Sequence, residues 1–204
     1  KHLALPPELR LRLAIDIAAG MAYLHSRSPP IIHRDLKTPN VLLMSTDPLH
    51  DGPLAKVSDF GASAQMFMAS LQSGAIGSED KAKKHVVTLT TWLAPEILLG
   101  QNYSKPSDVY AVGIMMWELL TRRHPFDHLG SVMNEVKVRQ KVPSDDPDNR
   151  PPIPDNLDAN TAKYANLMKN CWGGEPANRP RMGEVLVALI EMAQQLKPLQ
   201  RLDF

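Results

Sequence analysis

Cysteine is almost missing: Cys171 is the only one in 204 residues. No internal disulfide can form, and the chain suits a reducing, cytoplasmic compartment. Beside Trp172, the thiol reads as a small buried apolar side chain. Aromatics make up 5% of the chain, too few to interleave with a basic patch as nucleic-acid surfaces do. Excess charge is lacking too. Lys and Arg number 23 against 22 Asp and Glu, leaving +1 and no global pull toward nucleic acid or anionic membrane. No long apolar run is present either: Val109 to Trp117 meets Glu118 and is too short to span a bilayer. There is no signal peptide, internal repeat or low-complexity tract, and the start at Lys1 rather than Met suggests a fragment or processed form.

What remains is an ordinary globular composition, 43% apolar and 22% charged, in a chain long enough for one substantial core. Pro6 and Pro7 open a helix. Leu9, Leu13, Ile17, Met21 and Leu24 continue it at helical spacing over 7–25, until Pro29 and Pro30 stop it. Short strands are predicted at Ile31-Ile32, Val41–Met44 and Ala55–Ser58, with Ser45–Pro53 as a turn or hairpin loop. Periodicity fades from Gly61 to Thr91, a length that is usually functional or disordered. Its basic cluster, Lys81, Lys83, Lys84 and His85, fits a solvated loop or a docking site for phosphate or substrate. A helix apolar almost all round runs from about Ser104 to Thr121 and reads as the buried centre, its methionines as core filler. A weaker helix follows at 130–139, then a Pro-rich surface connection over Lys141–Pro154, then helices near 160–172 and 181–196. The sum is an α+β fold: a mainly helical body with a small β patch.

The chemistry concentrates in His33-Arg34-Asp35-Leu36-Lys37-Thr38-Pro39-Asn40, a polar loop between short apolar runs. Asp59-Phe60-Gly61 follows the next strand. If those strands pair, Asp35, Asn40 and Asp59 converge as carboxylate, amide and carboxylate. Mg²⁺ takes such oxygen ligands and draws the rest from water and phosphate. One carboxylate is then left to orient a hydroxyl and accept its proton, and Lys37 supplies positive charge for a transferring phosphoryl group.

With Ala94-Pro95-Glu96 further on, this ordered set resembles the C-terminal lobe of a eukaryotic protein kinase. The resemblance implies roles residue by residue. Asp35 would be the catalytic base, Lys37 the phosphoryl-stabilising cation, and Asn40 and Asp59 the Mg²⁺ ligands. Leu42 would form the floor under adenine, joined by Asp59 in binding ATP. Asp108 would anchor the loop backbone, Arg179 would pair with Glu96, and His33 with Phe60 would share an internal apolar spine. ATP and Mg²⁺ are the expected cofactors and a Ser/Thr protein the expected partner, with no nucleic acid and no membrane segment. The expected domain is 1–196, with 197–204 a tail.

Lys37 implies serine/threonine specificity. Trp92 before Ala94-Pro95-Glu96, and Cys171-Trp172 before Arg179-Pro180, resemble the tyrosine-kinase-like group. The Ser45–Pro53 insertion and Asp148–Pro154 look like Roco or leucine-rich-repeat kinases, with mixed-lineage and Raf-type kinases as near alternatives. Two departures stand out. No glycine-rich loop, Val-Ala-Ile-Lys lysine or partner glutamate is present, so the N-terminal lobe is expected to be missing and this chain inactive by itself. Thr88 and Leu89 stand where the family has Gly-Thr, leaving Thr90 or Thr91 as substitutes. Arg34 beside Asp35 implies control by phosphorylation, with Ser70, Ser73, Ser78, Thr88, Thr90 and Thr91 as acceptors. The alternative function is a non-catalytic scaffold binding partners through its helices.

Overall fold

Leu9, Leu13, Ile17, Met21 and Leu24 fall on one side of α1, Pro7–Ser26, and all five are buried. Pro7 opens this helix, where its missing N–H would have had no helical partner. The computed structural model describes residues 5–47, 50–60, 90–127, 134–144, 146 and 149–196.

After α1 come the strands β1, Val41–Leu43, and β2, Ala55–Val57, then the short helix α2, Pro95–Leu98. The long helix α3, Lys105–Thr121, is followed by α4, Asn134–Lys141, α5, Ala159–Cys171, and α6, Met182–Gln195. The mainly helical α+β body anticipated from the pattern is what the chain forms. Among the described residues no helix is long and apolar enough to cross a membrane.

Helix α3 is the hub. Its first turn is closed by the Ser107 hydroxyl, which accepts the Ser104 N–H at 3.0 Å. Its end is set by Arg122, left-handed at φ +57, whose N–H reaches the Glu118 carbonyl at 2.8 Å. Twelve of its seventeen residues are buried, so this helix needs cover on every side and receives it from α1 and α5. Contact with α5 depends on Gly113. A β-carbon there would sit 3.0 Å from Cys171 Cβ and 3.0 Å from the Trp172 amide nitrogen. Asp158 caps α5 by accepting the Asn160 and Thr161 N–H groups, each at 3.0 Å. Helix α6 then lies along α1.

The two strands form one antiparallel pair, with Val41 opposite Val57, Leu42 opposite Lys56 and Leu43 opposite Ala55. Val41, Ala55 and Val57 pack inward. Asp16 on α1 fastens the hairpin by accepting the Leu54 and Ala55 N–H groups at 2.7 and 3.1 Å. Ile31-Ile32 is not a strand: the Ile31 N–H is spent on the Leu24 carbonyl at the end of α1, 3.1 Å away. The Pro-rich stretch before α5 is not merely a surface connection either. Arg150 within it is buried and donates to the Trp172 and Val142 carbonyls at 3.2 and 3.0 Å, closing the ends of α5 and α4.

Candidate active site

Asp108 anchors the polar loop from below. It sits in the first turn of α3, where the helix dipole favours a carboxylate, and is 2% exposed. Its Oδ2 accepts the His33 N–H and His25 Nε2–H, both at 2.8 Å, and its Oδ1 accepts the Arg34 N–H at 3.1 Å. Those bonds hold Arg34 at φ +69, a left-handed conformation that a β-carbon disfavours. His33 is fully buried and donates from Nε2 to the Ser58 carbonyl at 3.0 Å.

From this base the loop folds onto Asp35. Lys37 Nζ donates to both Asp35 carboxylate oxygens, at 3.0 and 2.8 Å. Asn40, buried at the end of the turn Thr38–Asn40, donates from Nδ2 to the Asp35 carbonyl at 2.8 Å and to Asp35 Oδ2 at 3.0 Å. Both amide hydrogens are directed at Asp35, which leaves the Asn40 side-chain oxygen as the atom for another ligand. The Ser58 N–H and hydroxyl each reach the Asn40 carbonyl at 2.9 Å. That link carries the next residue, Asp59, to the same end of the hairpin, exposed and at φ +62. One amide oxygen and one carboxylate are few ligands, but they suit a hard cation that keeps water and phosphate in its shell. Among the described residues no group of three or more His, Cys, Asp or Glu is placed to hold a metal by itself.

A cleft opens beside Asp35, lined by Arg34, Lys37, Trp92, Ile97, Tyr103 and Ala111 among others. Burial raises the Tyr103 pKa, and the charge of Asp35 raises it further, so its hydroxyl stays protonated there. Glu118, on the last turns of α3, joins two walls of the site. It accepts from the Thr38 hydroxyl and from Trp92 Nε1, the latter at 2.8 Å. Burial raises its pKa despite those two bonds. Below, Arg179 makes a two-pronged pair with Glu96, both bonds 2.7 Å, and also donates to the Gly173, Pro106 and Gly174 carbonyls. Such a buried pair fixes the position of α2 more than it adds net stability.

A family model described as protein tyrosine and serine/threonine kinase matches residues 2–189. The chain belongs to this kinase family. The kinase chain is 38% identical over 191 residues to cyclic GMP-binding protein C of Dictyostelium discoideum, covering 94% of this chain and 7% of that protein. From the same organism, the probable serine/threonine-protein kinase roco6 is 38% identical over 183 residues, 87% of this chain and 8% of its own length. The probable serine/threonine-protein kinase pats1 is 37% identical over 190 residues, 93% and 5% respectively. The chain therefore spans less than a tenth of the length of these relatives. The name of roco6 agrees with the Roco likeness read from Ser45–Pro53 and Asp148–Pro154, within the tyrosine-kinase-like group that Trp92 and Cys171-Trp172 resemble.

Of the site residues expected from the kinase motifs, Asp35, Lys37 and Asn40 are in direct contact, and Asp59 is delivered by strand pairing. Leu42 lies on the outer face of the hairpin, 54% exposed and opposite Lys56. Phe60 does not join His33 in an internal spine: it is 43% exposed, whereas His33 is fully buried. Nor does Thr90 replace the missing Gly-Thr threonine. Its hydroxyl is buried without a hydrogen-bond partner among the described residues, while the Lys37 ammonium is directed at Asp35. Gly61, Ser70, Ser73, Ser78, Thr88 and the Lys81–His85 cluster lie outside the described residues. Sequence reasoning missed His25 and Glu118. The only signal for Glu118 was a polar residue on an otherwise apolar helix, and for His25 a polar residue four positions after Met21 on the buried side of α1.

Proposed function

We propose that the chain is the catalytic lobe of a serine/threonine protein kinase that moves the γ-phosphate of ATP to a protein hydroxyl. The observation that carries this reading is Asp35 held between Lys37 Nζ at 2.8 Å and Asn40 Nδ2 at 3.0 Å. A carboxylate held this way faces the cleft with a fixed orientation. Asp35 accepts the proton of the incoming serine or threonine hydroxyl and aligns its oxygen for attack. Lys37 offsets the charge of that carboxylate and sits where it can also steady a phosphoryl group. Asn40 Oδ1 and the Asp59 carboxylate would hold Mg²⁺, which when bound neutralises phosphate charge. Leu42 offers an exposed apolar surface for the adenine ring.

The kinase unit in this reading is 1–196, with 197–204 a tail, in a cytoplasmic protein. This chain by itself is expected to transfer phosphate poorly, since it contains neither a glycine-rich loop nor a Val-Ala-Ile-Lys lysine to grip the α- and β-phosphates. The test joins the chain to such a lobe and compares wild type with Asp35→Asn on a Ser/Thr peptide. Loss of a general base lowers turnover by roughly 10²- to 10⁴-fold, with the thermal melt preserved. Near-normal turnover in the variant would remove Asp35 from the mechanism.

A further inference from the structure

The rim of the cleft carries an uneven distribution of charge. Thr38, exposed on that rim, is bonded to Glu118, and Glu118 is bonded to Trp92. Besides Asp35, which Lys37 neutralises, the acid bonded at this rim is Glu118, and it is partly buried, committed to two donors and raised in pKa by burial. It is poorly placed to attract a cation from solvent. One turn further on, α3 ends in Arg122-Arg123-His124, all three exposed. The His124 ring meets Trp92 edge-on, with centroids 6.0 Å apart, which places this basic run beside the same rim. His124 has a partial counter-charge in Asp127, 3.6 Å away. Neither Arg122 nor Arg123 has a side-chain ion pair or hydrogen bond among the described residues.

We infer that Arg122 and Arg123 select protein substrates bearing an acidic residue, aspartate or glutamate, a few positions from the phosphorylated hydroxyl. The inference rests on the kinase reading above and specifies the substrate class of that site. In this reading a peptide whose hydroxyl reaches Asp35 runs past Trp92, which lines the cleft with Asp35 and meets His124, the residue after Arg122-Arg123. Arginine pairs with carboxylate through two parallel N–H donors, a geometry that lysine lacks. A basic flanking residue would meet like charge, with Glu118 too committed to compensate. Because the arginines are exposed, each pair is worth only about two- to five-fold in binding.

The experiment uses a polypeptide containing this chain with its phosphate-gripping lobe, ATP, Mg²⁺ and a peptide set. The peptides share one serine and carry Glu, Ala or Lys at each of the three positions on either side. Glu at one or more positions is expected to raise kcat/KM about five-fold over Ala, mainly through KM, and Lys to lower it. The preference should shrink several-fold as salt rises from about 50 to about 500 mM, because the Debye length shortens. R122E/R123E should invert the order and favour Lys, which misfolding cannot do. If the double reversal fails to fold, R122Q and R123Q each lose part of the Glu preference. Equal rates for Glu, Ala and Lys at every position overturn the inference and leave the kinase reading standing, as does a preference unchanged in the variants. If the wild type phosphorylates none of the peptides, the kinase reading fails and the inference with it.

Discussion

Replacing Asp108 by asparagine tests the anchoring argument at a single oxygen. Asp108 accepts three donors: the His25 ring, the His33 N–H and the Arg34 N–H. Asparagine keeps one oxygen, which will take the Oδ2 position where two donors converge. Its NH₂ then faces the Arg34 N–H, donor against donor. The loss is one charge-assisted bond, about 1.5–3 kcal/mol, plus a buried amide without an acceptor, about 1–3 kcal/mol. The two bonds that remain are also weaker, since a neutral oxygen replaces a charged one. A total of about 2.5–6 kcal/mol follows, a large share of the roughly 5–15 kcal/mol that holds a domain folded. With a urea m-value of about 2–3 kcal/mol/M, the midpoint should fall by about 1–3 M. Asp108→Ala should fall further, since it strands all three donors. A midpoint shift in Asp108→Asn below about 0.2 M would refute the claim that this carboxylate holds the loop.

Glu118 provides a pH test. Its folded pKa is raised by burial, so the folded state binds its proton more readily than the unfolded chain. Stability contributed by this group therefore rises as pH falls through the raised value toward the ordinary carboxylate range, and levels off below it. Subtracting the Glu118→Gln stability curve from wild type should leave that acid-side rise, and a flat difference would contradict it. Gly113→Ala should cost about 1–3 kcal/mol, read as a lower melting temperature, because the added carbon meets Cys171 Cβ and the Trp172 backbone at 3.0 Å. Burial pushes the Cys171 thiol pKa up to about 12. A thiol reagent at pH 8 should therefore label it only as fast as the domain unfolds, and rapid native labelling would place it at the surface.

The sequence by itself determined where the helices and the chemistry lie. Helix α1 was legible because its apolar residues recur at the helical period, and α3 because it is apolar on all sides. The reactive loop was legible because Asp35, Lys37 and Asn40 lie within six residues of one another, where chain geometry alone limits how far apart they can fall. Tertiary structure decided what supports them. His25 reaches Asp108 across 83 residues and Thr38 reaches Glu118 across 80, contacts that exist only once α1, α3 and the loop have packed. Folding also moved Phe60 outward, stranded the Thr90 hydroxyl and drew Arg150 inward, because the burial of each depends on neighbours distant in the chain. Local periodicity encodes which face of an element is apolar. It does not encode which other element will cover that face, and the partners of Asp108 and Glu118 depended on that.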